Sequence, residues 1–481
     1  VPNQPRISSD VVVANITIQD GSTLTIGYDG SLQVTAQINN LNGTDGFLVE
    51  SGENGTGSLL HQNNLDGRFQ RYVSGEPETW HMLSSPVDGQ AILGSMFTPT
   101  GGENPYGDNT RYDFYAWHEP DTSWVYILNT EFAPTWATIH PQADFVPGRG
   151  YLVSYLDPNP TLVFEGSLTQ GSVSIPVTRS PGTSPEFGHN LVGNPYPSSI
   201  DWKANEGLDR SALETDGGGY VYWVWNDQAN NYGTFNSASN LDEITNGASR
   251  FIPPNQGFFV RAATNGNLSF SNQIRVHDGA DNWIKSDQAA FTSTLRVRVT
   301  SLSDQSFDEI AVEFDDREQK GGSPKKFSFI PTAPSLYIPQ GSQPYSFIMP
   351  GPQENSPVIP IGFKAGRNGE YQFEIEYDRF DFDMLKLEDL HTRQTHDLLT
   401  EPVFRFQATT GDKSGRFVLY LKEGTYPNPH AVQVIDLSGR IKHSSPMTGG
   451  SLQQIPAQHL QGIYIVRIIG SQGVYTEKLF F

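Results

Sequence analysis

The sequence predicts an all-β protein assembled from tandem β-rich modules, on three observations. Apolar residues alternate with polar ones in short runs and do not recur at helical spacing. Gly (47) and Pro (33) interrupt the chain every few residues. β-Branched and aromatic residues fill the runs, with aromatics at 12%. At 481 residues there is room for about three domains at the usual ~150 residues each. No Cys is present, which removes disulfides, thiolate metal sites and a Cys nucleophile. A net charge of −22 argues against nucleic acid, whose phosphates would repel this surface. No run reaches the ~18 apolar residues of a membrane-spanning helix. The chain opens at Val1 without Met or an apolar leader, and reads as mature protein after signal removal.

Residues 1–65 place Ile16, Ile18, Leu24, Ile26, Leu32 and Val34 in alternating pairs separated by Asp-Gly and Gly-Ser turns. Strands this short cannot close a sandwich, but stacked as at most three rungs they share a narrow core, as in a β-solenoid. A β-meander leaning on the next domain fits equally well.

Residues 66–290 hold the tryptophans, in strands such as YDFYAWHEPDTSWVYI (Tyr112–Ile127) and VYWVWNDQANNYGTF (Val221–Phe235). Gly193-Asn-Pro-Tyr-Pro197 reads as a rigid turn, because two prolines fix φ and Gly and Asn tolerate left-handed backbone. Trp117, Trp124, Trp223, Trp225 and Tyr232 form a candidate platform for the apolar face of a sugar ring. Asn226 and Asp227 beside Trp225 would supply hydrogen bonds to hydroxyls. The competing reading is that these aromatics fill a β core. The whole region is similar to an uncharacterised module that recurs upstream of export tails, with GNPYPSSIDW (Gly193–Trp202) as its most specific piece.

Residues 291–423 contain about seven strands, from TLRVRVTSL to RFVLYLK, the pattern of a β-sandwich of immunoglobulin or jelly-roll type. KLEDLHTRQTHDLL followed by FRF resembles a spacer domain found before such tails. Gly321, Gly322 and Pro324 predict an exposed loop carrying a basic cluster of Arg317, Lys320, Lys325 and Lys326.

Residues 424–481 carry YPNP (Tyr426–Pro429), VIDLSGR (Val434–Arg440), LQGIYIVRI (Leu460–Ile468) and VYTEKLFF at the end of the chain. From Tyr426 onward four basic residues face two acidic ones, +2, which leaves −24 of the total −22 on the rest. The four segments in this order resemble the type A C-terminal sorting domain of type IX secretion cargo, a small immunoglobulin-like β-sandwich on exported Bacteroidetes proteins. The resemblance implies that Pro427, Asn428, Pro429, Asp436, Gly439, Arg440, Gly462, Tyr464 and Lys478 form the sorting signal. It also implies type IX secretion machinery as partner, and an extracellular or outer-membrane surface location reached through the periplasm. Only His430 and Ala431 separate the YPNP signature from Val432, so the first strand of such a tail is expected to be missing. A donated strand would fill the gap, and Val11, Val12, Val13, Ile16 and Ile18 are the candidate donor for homo-assembly into a filament. A shorter sheet, or a stretch missing from the chain, explains the same feature.

Catalytic motifs are absent: there is no His-Glu-x-x-His, no Gly-x-Ser-x-Gly, no phosphate-binding loop and no EF-hand loop. Glu119 and Asp121, flanked by Trp117 and Trp124, match the two carboxylates of a glycosidase, but Glu-Pro-Asp is also ordinary turn chemistry. No cofactor is expected. Calcium has no specific motif, only Asp278, Asp281 and Asn282 and the Asp-Gly turns at Asp20 and Asp29. The expectation is therefore a non-enzymatic adhesion or carbohydrate-binding surface protein. A self-assembling structural subunit and a polysaccharide-active enzyme stand as alternatives.

Overall fold

The computed structural model describes residues 4–99, 111–278, 294–314, 321–349, 358–378, 382–423, 429–436, 440–446, 463–470 and 473–480. Their regular secondary structure is nearly all strand, and among them no helix is long and apolar enough to cross a membrane.

The N-terminal strands stack in parallel, which decides between solenoid and meander. Arg6–Ile7, Leu24–Ile26, Phe47–Val49 and Asp66–Tyr72 form one parallel run. Asp10–Ile18, Ser31–Asn40 and Ser58–Leu60 form a second. Ile26, Leu32, Phe47, Val49, Leu59 and Phe69 are fully buried in the shared core, because the two-residue period sends alternate side chains inward. A stack of parallel rungs ends in an open edge. Here Asp66–Tyr72 is the closing rung and pairs antiparallel with Thr161–Leu168. The expected boundary at 65/66 therefore cuts through a sheet, and one apolar core runs from Ile18 to Leu168.

The expected single module at 66–290 contains a second, separate core. It begins at Ile175, holds Trp202, Tyr222, Phe235 and Phe258, and also takes in Ala311, Phe347 and Met349 of the next region. Its main sheet joins His189–Gly193, Gly257–Arg261, Gly219–Asn226 and Asn231–Asn236. The Gly193–Pro197 turn lies at the seam between the cores. Asn194 donates to the carbonyls of Ser198, Ile252 and Pro253 at 2.8–3.0 Å. A Cβ on Gly193 would lie 2.3 Å from that of Ser84, so glycine is needed there for close approach.

Residues 294–423 form an eleven-stranded sheet, nearly closed and barrel-like, in place of the expected seven-stranded sandwich. Both arrangements require one apolar face per strand. Alternation therefore identifies the inward side chains without naming the pairing partners. The expected loop at Gly321–Pro324 is a strand instead, antiparallel to Gln343–Met349. Lys325 and Lys326, expected in an exposed basic cluster, are buried. Arg317 and Lys320 lie outside the described residues.

The C-terminal strands form a four-stranded antiparallel sheet ordered Ile441–Pro446, Pro429–Asp436, Ile463–Gly470, Gly473–Phe480. Pro429–Asp436 is paired on both sides, so this sheet has no gap beside it for a donated strand. The candidate donor is committed elsewhere: Val11, Val13 and Ile16 pack on the solenoid core, Ile18 is buried, and Val12 points outward. Asp436 Oδ1 accepts the Arg440 N–H at 3.0 Å. Tyr464 and Lys478 lie in the two final strands. Pro427, Asn428, Gly439 and Gly462 fall outside the described residues.

Candidate functional site

The sheet pairing places Trp223 and Trp225 on one face of Gly219–Asn226, opposite the face that fills the second core. That face is not open to solvent. Trp223, Trp225 and Tyr232 are 2–3% exposed, in a cluster with Met82, Leu152 and Phe259. Trp117 and Trp124 lean half-buried on the same cluster. The expected sugar platform is thus an interior socket, and what occupies it is the chain itself. Phe329 lies 4.2 Å from Trp225, ring to ring, with Trp80, Trp124 and Tyr232 at 6.2 Å. Lys326 lies over Phe259 at 4.4 Å and over Tyr232 at 5.4 Å, and pairs with Glu186 at 3.1 Å. Burial lowers the Lys326 pKa, against the pull of Glu186. The Trp223 indole donates to the Pro324 carbonyl at 2.9 Å. Aromatic faces and a desolvated cation attract one another, which suits this segment to its socket.

Asn226 is used internally as well. It donates to the Asn246 carbonyl at 3.0 Å and accepts from Ala229 N–H, which builds the hairpin turn. Beside that turn the chain leaves a polar cleft of about 350 Å³ between the solenoid and the second core. The Ser51–Thr56 hairpin forms one wall and Trp225–Gln228 another, with Arg71, His81 and Gln256 also lining it. Arg71 donates to Thr56 Oγ1 at 3.3 Å, and that hydroxyl meets Ser51 Oγ at 2.7 Å. Burial pushes the Arg71 guanidinium pKa well down. Burial, and then the Arg71 charge, pushes His81 down to about 3, which leaves a neutral imidazole. Burial raises the Asp227 carboxyl to about 6, against two backbone N–H donors. The Trp225 Nε1 is buried without a hydrogen-bond partner among the described residues. This arrangement can bind a small polar ligand through mixed donors and acceptors.

Arg71 and His81 were not singled out from the sequence, yet Arg71 left a signal there. It falls on the inward face of the alternation Gly67, Phe69, Arg71, where an apolar residue belongs.

Glu119 and Asp121 lie in different surroundings. Glu119 is 4% exposed, and its carboxylate accepts from Ser180 N, Gly188 N, Ser180 Oγ and Thr178 Oγ1 at 2.7–3.1 Å. Burial alone would raise its pKa, but these donors hold it below the usual range. Asp121 sits on the exposed turn and meets His118 at 2.9 Å. Asp20, Asp29 and Asp278 are surface residues, and Asp281 and Asn282 lie outside the described residues. Among the described residues no three His, Asp or Glu side chains converge to hold a metal.

A family model described as a domain of unknown function, DUF8693, matches residues 1–421. The chain belongs to that family. The match treats solenoid, second core and barrel as one unit, and stops before the C-terminal sheet. No curated protein and no solved structure matches the chain.

Proposed function

We propose that this DUF8693 protein is a non-catalytic, exported surface protein that binds a hydroxyl-rich ligand, a saccharide unit of a glycan or similar polymer, in the cleft beside Trp225. The cleft carries the reading. It gathers a buried guanidinium, a neutral imidazole and a carboxyl around a volume suited to a small ring, with the Trp225 indole N–H, which has no partner among the described residues, buried in its wall. Recognition there is by hydrogen bonding and not by stacking, because Phe329 already covers the Trp225 ring. The test is a glycan array followed by calorimetry on the hits. Trp225→Phe, which removes the N–H and keeps a ring, and Asp227→Asn should each weaken binding about tenfold, worth ~1.4 kcal/mol. Absence of any glycan ligand, or unchanged affinity in both variants, overturns the proposal.

Export rests on the four tail segments and on a C-terminal sheet whose described strands pair only with one another. Removing residues 424–481 should leave the remainder folded and retained in the periplasm of its host. Release of that truncated chain to the exterior refutes the export reading. Self-assembly is favoured by one observation, the outer edge of Asp10–Ile18, which no strand among the described residues pairs, with Val12 67% exposed. A strictly monomeric protein in light scattering excludes it.

A further inference from the structure

Where the barrel meets the second core, Lys325 and Asp308 are buried together. Asp308 lies in the strand Phe307–Glu313, and Lys325 directly follows the strand Gly321–Pro324. Both side chains have zero exposure, and Lys325 Nζ is 2.5 Å from Asp308 Oδ1. The carboxyl group is held from several sides. Its Oδ1 also accepts from Asn246 Nδ2 and from Glu309 N–H, each at 2.9 Å. Its Oδ2 accepts from Leu336 N–H at 2.7 Å.

The amine is far less well served. An ammonium carries three N–H donors, and among the described residues Lys325 Nζ has this single acceptor. With zero exposure, water cannot take the other two. A buried ion pair is maintained when its remaining donors find partners, and here they do not. An amide nitrogen in the same place would carry one N–H and no charge. The Asn246 Oδ1, on a side chain whose Nδ2 bonds Asp308, is buried and has no partner among the described residues.

We propose that Lys325 and Asp308 condense into an intramolecular isopeptide bond. A proton first crosses the hydrogen bond from the ammonium to the carboxylate, giving a neutral amine and a neutral acid. Burial raises the Asp308 pKa against the opposing pull of Lys325, which favours that transfer. The Nζ lone pair then attacks Cγ and the C–N bond forms. Leu336 N–H supports the negative charge that develops on Oδ2, as an oxyanion donor does. A second proton passes from Nζ to the protonated Oδ1, the Cγ–Oδ1 bond breaks, and one water leaves. No oxidant, metal or cofactor enters the balance. The two groups are already in contact in the fold, so the step is intramolecular and gains from their fixed proximity.

The product would join the strand Phe307–Glu313 covalently to the segment that docks in the tryptophan socket one and four residues further on, at Lys326 and Phe329. Intact mass spectrometry of the full chain under denaturing conditions tests this directly. Wild-type protein should be lighter than its sequence mass by one water, and digestion should give a branched peptide joining Asp308 to Lys325. Asp308→Ala and Lys325→Arg should each return to full sequence mass, a readout that does not require either variant to fold. A wild-type protein at full sequence mass overturns the proposal. So does a missing water that persists in Lys325→Arg, or the loss of one ammonia in place of water.

Discussion

Trp225→Ala separates the interior socket from a solvent-facing platform. The side chain is 3% exposed and meets Phe329 at 4.2 Å and Tyr232 at 5.2 Å. Truncating a buried Trp removes its transfer free energy and leaves a cavity, together about 3–5 kcal/mol. Part of the loss is borne by the docked segment, because Phe329 loses its closest aromatic neighbour. In a unit of this size each kcal/mol moves the midpoint by roughly 2–4 °C, so the expected fall in Tm is on the order of 10 °C. Differential scanning calorimetry is the suitable assay, since a chain with several cores need not unfold in one step. Hydrogen exchange should show lost protection in Gly219–Asn226 and in residues 325–330 together. A Tm within about 2 °C of wild type, the scale of a near-neutral surface substitution, would refute the socket and return Trp225 to the surface.

Two other substitutions bear on the charged groups. Asp227 has its pKa raised from 3.8 to about 6 by burial, so its contribution to stability is present below pH 4 and is lost as pH rises through 6. Asp227→Asn should therefore gain Tm relative to wild type at pH 8 and not at pH 4, and a pH-independent difference contradicts the assignment. Glu119→Ala strands the Ser180 N–H, the Ser180 hydroxyl and the Gly188 N–H, and leaves the Thr178 hydroxyl only Asn190, at a cost of about 3 kcal/mol or more. The Glu119 pKa is depressed in the fold, so its stabilisation is present above the ordinary carboxylate range. The Tm gap between variant and wild type should accordingly narrow as pH falls through that range. An unchanged Tm at pH 7 would show that the clasp contributes nothing.

The sequence by itself determined the all-β class, because a two-residue alternation broken by Gly and Pro permits little else. It also marked the inward face of most strands and the N-terminal solenoid as one of two readings, since Ile26, Leu32 and Val34 are apolar for a local reason that the fold preserves. Partner choice was decided only in three dimensions. The alternation in residues 294–423 is the same for a sandwich and for a nearly closed barrel, and only long-range register separates them. The destination of the tryptophans was hidden in the same way. Trp223 and Trp225 share a face whichever surface that face meets, and the covering segment at Lys326 and Phe329 lies about 100 residues away in the chain. The cleft joins Arg71, His81 and Asp227 from three separate segments, and the Lys325–Asp308 contact depends on Asn246 and Leu336 from two more. Local pattern records which side chains avoid water. Which of them meet is set by the packing of distant strands, and only the tertiary structure expresses it.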